Sequence, residues 1–136
     1  MEASIYWNDI DTELLCRCRP DKAIQSHNCI VDVKTTADIR RFERSVADYR
    51  YHVQDAFYSE GWKNQFGDKP IFLFLAISTS VSCGKYPVHV FELDSYAKEE
   101  GIRLAERDLY TLSKCVESGE YPGVETLSLP GWYKGE

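Results

Sequence analysis

Residues 71–77, IFLFLAI, form an unbroken apolar run closed off by Pro70 on one side and a Ser/Thr-rich stretch on the other. Seven residues are far fewer than the roughly 20 a membrane-spanning helix needs. A short run with no polar alternation fits a central β-strand covered on both faces, so the chain must bring other elements to both sides of it. Residues 88–93 (VHVFEL) supply a neighbouring strand.

The rest of the chain divides in the same way. Residues 4–8 (SIYWN) and 14–19 (LLCRCR) alternate around the polar, turn-like stretch 9–12 and predict a hairpin. After Pro20 and Asp21, residues 22–28 offer turn formers, and 29–34 (CIVDVK) is a β-branched strand. Thr35 followed by Asp38 resembles a capping box. Ile39, Phe42, Val46, Tyr49, Val53 and Phe57 then recur at helical spacing, predicting one long amphipathic helix that stops near Gly61 or Gly67. A second helix is expected over 95–117, with Ala97, Gly101, Ala105, Leu109, Leu112 and Val116 as its stripe and Leu104 widening it. The tail, 119–136, with two prolines and four glycines, reads as irregular and packed through Trp132. The order βββαββα, without repeat or linker, predicts an α/β fold with a mixed β-sheet flanked by helices.

The length of 136 residues suits a single domain over 1–136. No basic, apolar, cleavable signal opens the sequence, which makes the cytoplasm the default location and gives the membrane no role. Five cysteines, an odd number without a CxxC pair, read as reduced, buried thiols. A net charge of -6 argues against coating nucleic acid through bulk electrostatics. It leaves room for an enzyme that holds metal ions with carboxylates and meets phosphate at a small local site.

Side chains alternate between faces of a strand, so Asp32 and Lys34 project together while Val31 and Val33 face the core. On the preceding strand Arg17, Arg19 and Asp21 share a face opposite Cys16 and Cys18. If those two strands pair as neighbours, Asp21 and Asp32 converge. Converged carboxylates repel and need a cation, and hard oxygen donors with room for water suit Mg²⁺, with Mn²⁺ as a substitute. Such an ion can polarise a phosphodiester oxygen and acidify a bound water, with Lys34 beside it orienting that water or neutralising developing charge. Downstream, Tyr51, Gln54 and Tyr58 form a polar-aromatic stripe at i, i+3 and i+7 of the predicted helix.

The order Asp, about ten residues, Asp-x-Lys, then Gln-x-x-x-Tyr resembles the PD-(D/E)xK superfamily and its RecB-like nucleases, with their restriction-endonuclease-like core. More specifically, CRCRPDK, VDVKTTADI, YRYHVQDAFYS and TLSLP resemble the C-terminal nuclease domain of RecE-type prophage exonuclease VIII, similar to lambda-type exonucleases. The resemblance implies a Mg²⁺-dependent exodeoxyribonuclease acting on linear double-stranded DNA from 5′ ends in prophage recombination. It implies an annealing or recombinase partner and a homo-oligomer. It implies Asp21, Asp32 and the main-chain carbonyl of Val33 as metal ligands, Lys34 as catalytic lysine, and Gln54 against the metal-bound water or scissile phosphate. Tyr51 and Tyr58 would shape the same wall. Family members carry helices ahead of the first strand that supply a further histidine ligand, and none of His27, His52 or His89 holds that position. An N-terminally truncated core follows as an expectation. A catalytically weak or inactive remnant that binds DNA ends or self-associates is the alternative.

Plainer readings stand beside these. Asp32 and Lys34 can form an ordinary ion pair, Asp21 can be a turn former, and Gln54 with Tyr58 can be a solvated flank. Arg17 and Arg19 suit DNA phosphate or a carboxylate equally. Cys16, Cys18, His27 and Cys29 have the spacing of alternating strand residues, not of a zinc knuckle. His52 points about 160° away from Gln54 on a helix turning 100° per residue.

Overall fold

The computed structural model describes residues 3–135. Strands β1 (Ile5–Asn8) and β2 (Leu15–Cys18) pair antiparallel, with Ile5, Trp7, Cys16 and Cys18 turned inward as their alternation requires. Asp9 ties the turn, its Oδ2 accepting from the Thr12 amide at 2.9 Å and the Thr12 hydroxyl at 2.7 Å.

The expected turn over 22–28 contains a third strand, β3 (Lys22–Ile24), followed by a 3-10 turn, Gln25–His27. It is β3, not the strand ending at Arg19, that pairs with β4 (Cys29–Thr36). Pro20 has no N–H to extend the hairpin ladder, so the chain leaves that sheet and starts another. Asn28, left-handed at φ 49°, closes the tight β3–β4 connection. Its side chain donates to the Lys69 carbonyl at 2.8 Å and accepts from the Trp62 indole at 2.6 Å. β5 (Ile71–Ser78) lies parallel to β4 from Cys29↔Ile71 to Thr36↔Ser78, and β6 (Val88–Phe91) runs antiparallel to β5. The result is a mixed sheet ordered β3-β4-β5-β6 beside the two-stranded hairpin.

The single long helix predicted after Thr35 is two helices that start later. Thr35 and Thr36 finish β4, and Asp38 is the cap, accepting from the Arg40 amide at 3.1 Å ahead of a 3-10 turn, Ile39–Arg41. α1 (Phe42–Tyr49) then ends at Arg50, whose φ of 57° breaks the helix before α2 (Tyr51–Phe66). The break resets the helical phase, so the fully buried residues of α2 are Asp55, Ser59, Gly61 and Trp62 rather than a continuation of the Ile39–Phe57 stripe. α2 stops at Gly67, left-handed at φ 96°. Gly61 is internal because the Trp7 ring occupies the place of a side chain, and a Cβ there would lie 2.5–2.8 Å from three ring atoms. Gly61→Ala is expected to lower the unfolding free energy by about 1–3 kcal/mol through overpacking, measurable by urea unfolding.

α1 and α2 cover one face of the sheet. Phe42 and Tyr51 stand over Phe74 at centroid distances of 6.2 and 5.9 Å, and Tyr58 meets Phe72 edge-on at 6.3 Å. The opposite face departs from the expectation of cover on both sides: Leu73, Leu75 and Ile77 are half-buried, Val33, Val88 and Val90 are exposed, and none joins the main core cluster. α3 (Ser95–Ser118) packs along α2, capped by Asp94, which accepts from the Ala97 amide at 2.8 Å. The tail is irregular as expected, but Trp132 is 77% exposed and does not anchor it.

All five cysteines are free. Cys16, Cys18 and Cys29 are buried, and burial pushes the Cys18 thiol up to about 11, whereas Cys83 is exposed and Cys115 half-buried. Among the described residues no helix is long and apolar enough to cross a membrane.

Candidate active site

The β3–β4 hairpin positions the acidic pair. Lys22 is opposite Val31, so one step back along the antiparallel register sets Asp21 opposite Asp32. Asp21 Oδ2 accepts from the Val33 amide at 2.9 Å. The N–H and C=O of one strand residue leave the same edge, so the Val33 carbonyl also opens toward Asp21, beyond the last β3–β4 pair.

From the helical side, the first turns of α2 reach down to the same place. Gln54 Nε2 donates to Asp32 Oδ1 at 2.8 Å. Lys34 Nζ lies 2.9 Å from Asp32 Oδ2 and 4.3 Å from the centre of the Tyr51 ring. Tyr51 is fixed in turn by stacking on Tyr49 and Phe74. Tyr58 adjoins Gln54, and its phenol is pushed up by burial and by the negative charge of Asp32. Six of the sequence-predicted residues, Asp21, Asp32, Lys34, Tyr51, Gln54 and Tyr58, thus meet around one carboxylate. Arg17 and Arg19 lie on the exposed side of the β2 chain, Arg19 two residues before Asp21.

Asp32 is 3% exposed. Burial raises its carboxyl above the usual range, Lys34 works against that rise, and the neighbouring Asp21 adds to it. A buried carboxylate beside a second one is a place where a cation relieves both desolvation and repulsion. The donors available to it are hard: two carboxylates and the edge carbonyl of Val33, with water or phosphate oxygen to complete the shell. That set suits Mg²⁺ better than a soft metal. Among the described residues no cluster of three or more His, Cys, Asp or Glu side chains could hold a metal, so the fit rests on main-chain and solvent oxygen as well.

A second buried carboxylate carries no signal in the motif spacing. Asp55, 3% exposed, follows Gln54 but faces α3, where its Oδ2 is 3.5 Å from Lys98 Nζ and its Oδ1 accepts from the Ser59 hydroxyl at 3.0 Å. The only sequence trace is polar Asp55 and Ser59 at i and i+4, in step with Trp62. Burial raises the Asp55 carboxyl despite Lys98. A carboxyl raised on folding contributes stability that is fully present below its unfolded pKa and is lost as pH rises through its folded pKa. Stability of Asp55→Asn minus that of the wild type should therefore grow from pH 4 upward and level off once Asp55 is ionised. Urea unfolding of both proteins at pH 4.5 and pH 8 checks the sign.

His52, expected to point away from Gln54, lines the crevice between α1, β6 and α3, with its Nδ1 buried and lacking a hydrogen-bond partner. His27 is paired only with Ser26 among the described contacts, at 3.0 Å, and is not part of the site.

Comparison with known proteins points the same way. Residues 1–126 match the family described as a PDDEXK-like domain of unknown function (DUF3799). A solved structure from Eubacterium rectale, named "Putative exonuclease", superposes with a TM-score of 0.71 at 16% identity over 94% of this chain. The match takes in 53% of that structure, so this chain spans about half its length. The likeness establishes a shared fold, a mixed sheet flanked by helices. No curated protein matches the chain.

Proposed function

The chain belongs to the family of PDDEXK-like domains of unknown function, and from that membership we propose that it is a metal-dependent nuclease hydrolysing phosphodiester bonds of DNA. The observation that carries the reading is the convergence of Asp21, Lys34 and Gln54 on the buried carboxylate of Asp32.

Asp21, Asp32 and the Val33 carbonyl would hold a Mg²⁺ ion, or Mn²⁺ in its place. When bound, the ion would polarise a phosphodiester oxygen and make a water nucleophilic near neutral pH. Lys34 is held between Asp32 and the Tyr51 ring, so its ammonium can orient the attacking water or meet the charge that grows on the phosphate. Gln54 donates its amide N–H₂ to Asp32, and its carbonyl oxygen could position water. Tyr51 and Tyr58 wall the site with ring faces, and Arg17 and Arg19 would meet backbone phosphate along the approach.

At a finer level, the RecE-type resemblance of CRCRPDK, VDVKTTADI and YRYHVQDAFYS supports an exonuclease on linear duplex DNA, degrading from 5′ ends for a prophage annealing partner and working as a homo-oligomer. The test compares 5′-labelled linear duplex, 3′-labelled linear duplex and closed circular DNA with Mg²⁺. Early release of 5′ label, late release of 3′ label and an intact circle are expected. Cleavage of the circle would reject the exonuclease reading while leaving the nuclease reading in place.

The alternative, a core that binds DNA ends or self-associates with little or no hydrolysis, is favoured by one observation. Two carboxylates form the acidic cluster, with no third acidic or histidine side chain beside them among the described residues. Retention of linear DNA without Mg²⁺-dependent release would establish it.

A further inference from the structure

The start of α2 rests on the stacking of Tyr51 against Tyr49 and Phe74 and on contacts from α3. The helix has no side-chain cap, and the residue before it, Arg50, is a non-glycine in the left-handed region, a conformation with a steric cost. Yet this first turn carries Tyr51 and Gln54, the two helical residues that touch Lys34 and Asp32.

Beside that stacking, α3 holds the turn from the side away from the sheet through three contacts. The Arg50 guanidinium pairs with Asp108 at 2.7 Å, where Asp108 also meets Arg107 at 3.0 Å. Gly101 is the buried glycine of α3, and a Cβ there would overlap the main-chain carbonyl oxygen of His52. Lys98 reaches the buried Asp55 at 3.5 Å and Glu92 at 3.8 Å. The three contacts fall in reversed order along the two helices, 50 with 108, 52 with 101 and 55 with 98, as antiparallel packing requires. None of the three α3 residues touches the site.

We propose that α3 is a clamp that sets the first turn of α2 over the acidic pair, and that Gly101, Lys98 and Asp108 act with Arg50 as positioning residues for Gln54 and Tyr51. The proposal rests on the nuclease reading for its catalytic consequence, but not for its structural one. β3 and β4 carry Asp21, Asp32, Val33 and Lys34 without help from α3, so loosening the clamp should disturb Gln54 and Tyr51 and leave the metal ligands where they are.

The experiment uses the full chain as wild type, Asp108→Ala and Gly101→Ala. The exchange rate of the Gln54 side-chain amide protons is followed by NMR, Mg²⁺ affinity by calorimetry, and single-turnover hydrolysis where there is any. Removing an exposed ion pair shifts an equilibrium by at most about fivefold, so Asp108→Ala should speed Gln54 amide exchange by up to about fivefold. Gly101→Ala forces backbone apart and should slow hydrolysis by about ten- to a hundredfold, the scale of a small misplacement of a catalytic group. Mg²⁺ affinity should change in neither variant. If Gly101→Ala does not fold, Arg50→Gly serves in its place, since glycine keeps the left-handed backbone without steric cost and removes the same ion pair. Folded variants with wild-type Gln54 exchange overturn the clamp, as does a parallel loss of Mg²⁺ affinity. A chain that hydrolyses no DNA rejects the nuclease reading, while the amide exchange still decides the clamp.

Discussion

Lys34→Ala is expected to lower single-turnover hydrolysis of duplex DNA by about 10²–10³-fold, the usual cost of removing one preorganised charge-stabilising group. The fold should survive, because the Lys34 side chain is 20% exposed and its ammonium engages Asp32 and the Tyr51 face. What changes is the surroundings of Asp32. Its Oδ2 loses the ammonium at 2.9 Å, and the neighbouring charge that remains, Asp21, is of like sign. Lys34→Arg should restore little. The planar guanidinium is longer and differently shaped, and it cannot occupy the compact position between a carboxylate and a ring. Circular dichroism beside the kinetic assay separates lost chemistry from lost structure. A Lys34→Ala protein that is folded and within tenfold of wild type would mean that the lysine is only the partner of a buried acid.

The largest effect on stability is expected at Trp62. Its side chain is 1% exposed, and its indole N–H is committed to Asn28 Oδ1 at 2.6 Å. Trp62→Ala should cost about 3–5 kcal/mol from lost burial and the cavity left behind. About 1 kcal/mol more goes with the hydrogen bond, since the Asn28 side chain in the tight β3–β4 connection loses its indole donor and retains its own bond to the Lys69 carbonyl. Against a typical total of about 5–15 kcal/mol, this is a large fraction. Because Asn28 closes the connection that sets Asp21 against Asp32, residual folded protein should also bind Mg²⁺ more weakly. Trp62→Phe, which keeps most of the volume and loses the N–H, should recover most of the stability. Urea unfolding of the two variants tests the division between packing and hydrogen bond.

The sequence was readable where one physical signal governs. Alternation marks both strands of the hairpin, because a half-buried strand leaves a period of two, while a β-branched run marks β4 and an unbroken apolar run the central strand. Asp32 and Lys34 shared a face for the same reason, and Gln54 and Tyr58 shared one because they are a helical turn apart. Pairing was less visible. β3 is three residues without an apolar pattern, and what makes it a strand is the left-handed Asn28 turn together with Trp62, 34 residues away. The break at Arg50 was hidden as well, since the apolar spacing runs through it and the ion pair that supports it comes from Asp108, 58 residues on. Asp55 left almost no trace, because a carboxylate buried against Lys98 looks in one dimension like a solvated helical charge. The run at 71–77 overstated its cover: β5 is central, but its Leu73, Leu75 and Ile77 side is only half-buried.

The central claim is that the carboxylates of Asp21 and Asp32 form a metal-dependent phosphodiesterase centre. Its most direct test is the release of acid-soluble nucleotides from linear duplex DNA by the wild type and by Asp32→Asn, each with Mg²⁺ and with chelator. The account predicts release by the wild type with Mg²⁺, none with chelator, and at least a hundredfold loss in Asp32→Asn. Release that persists with chelator, or at an undiminished rate in Asp32→Asn, would contradict it.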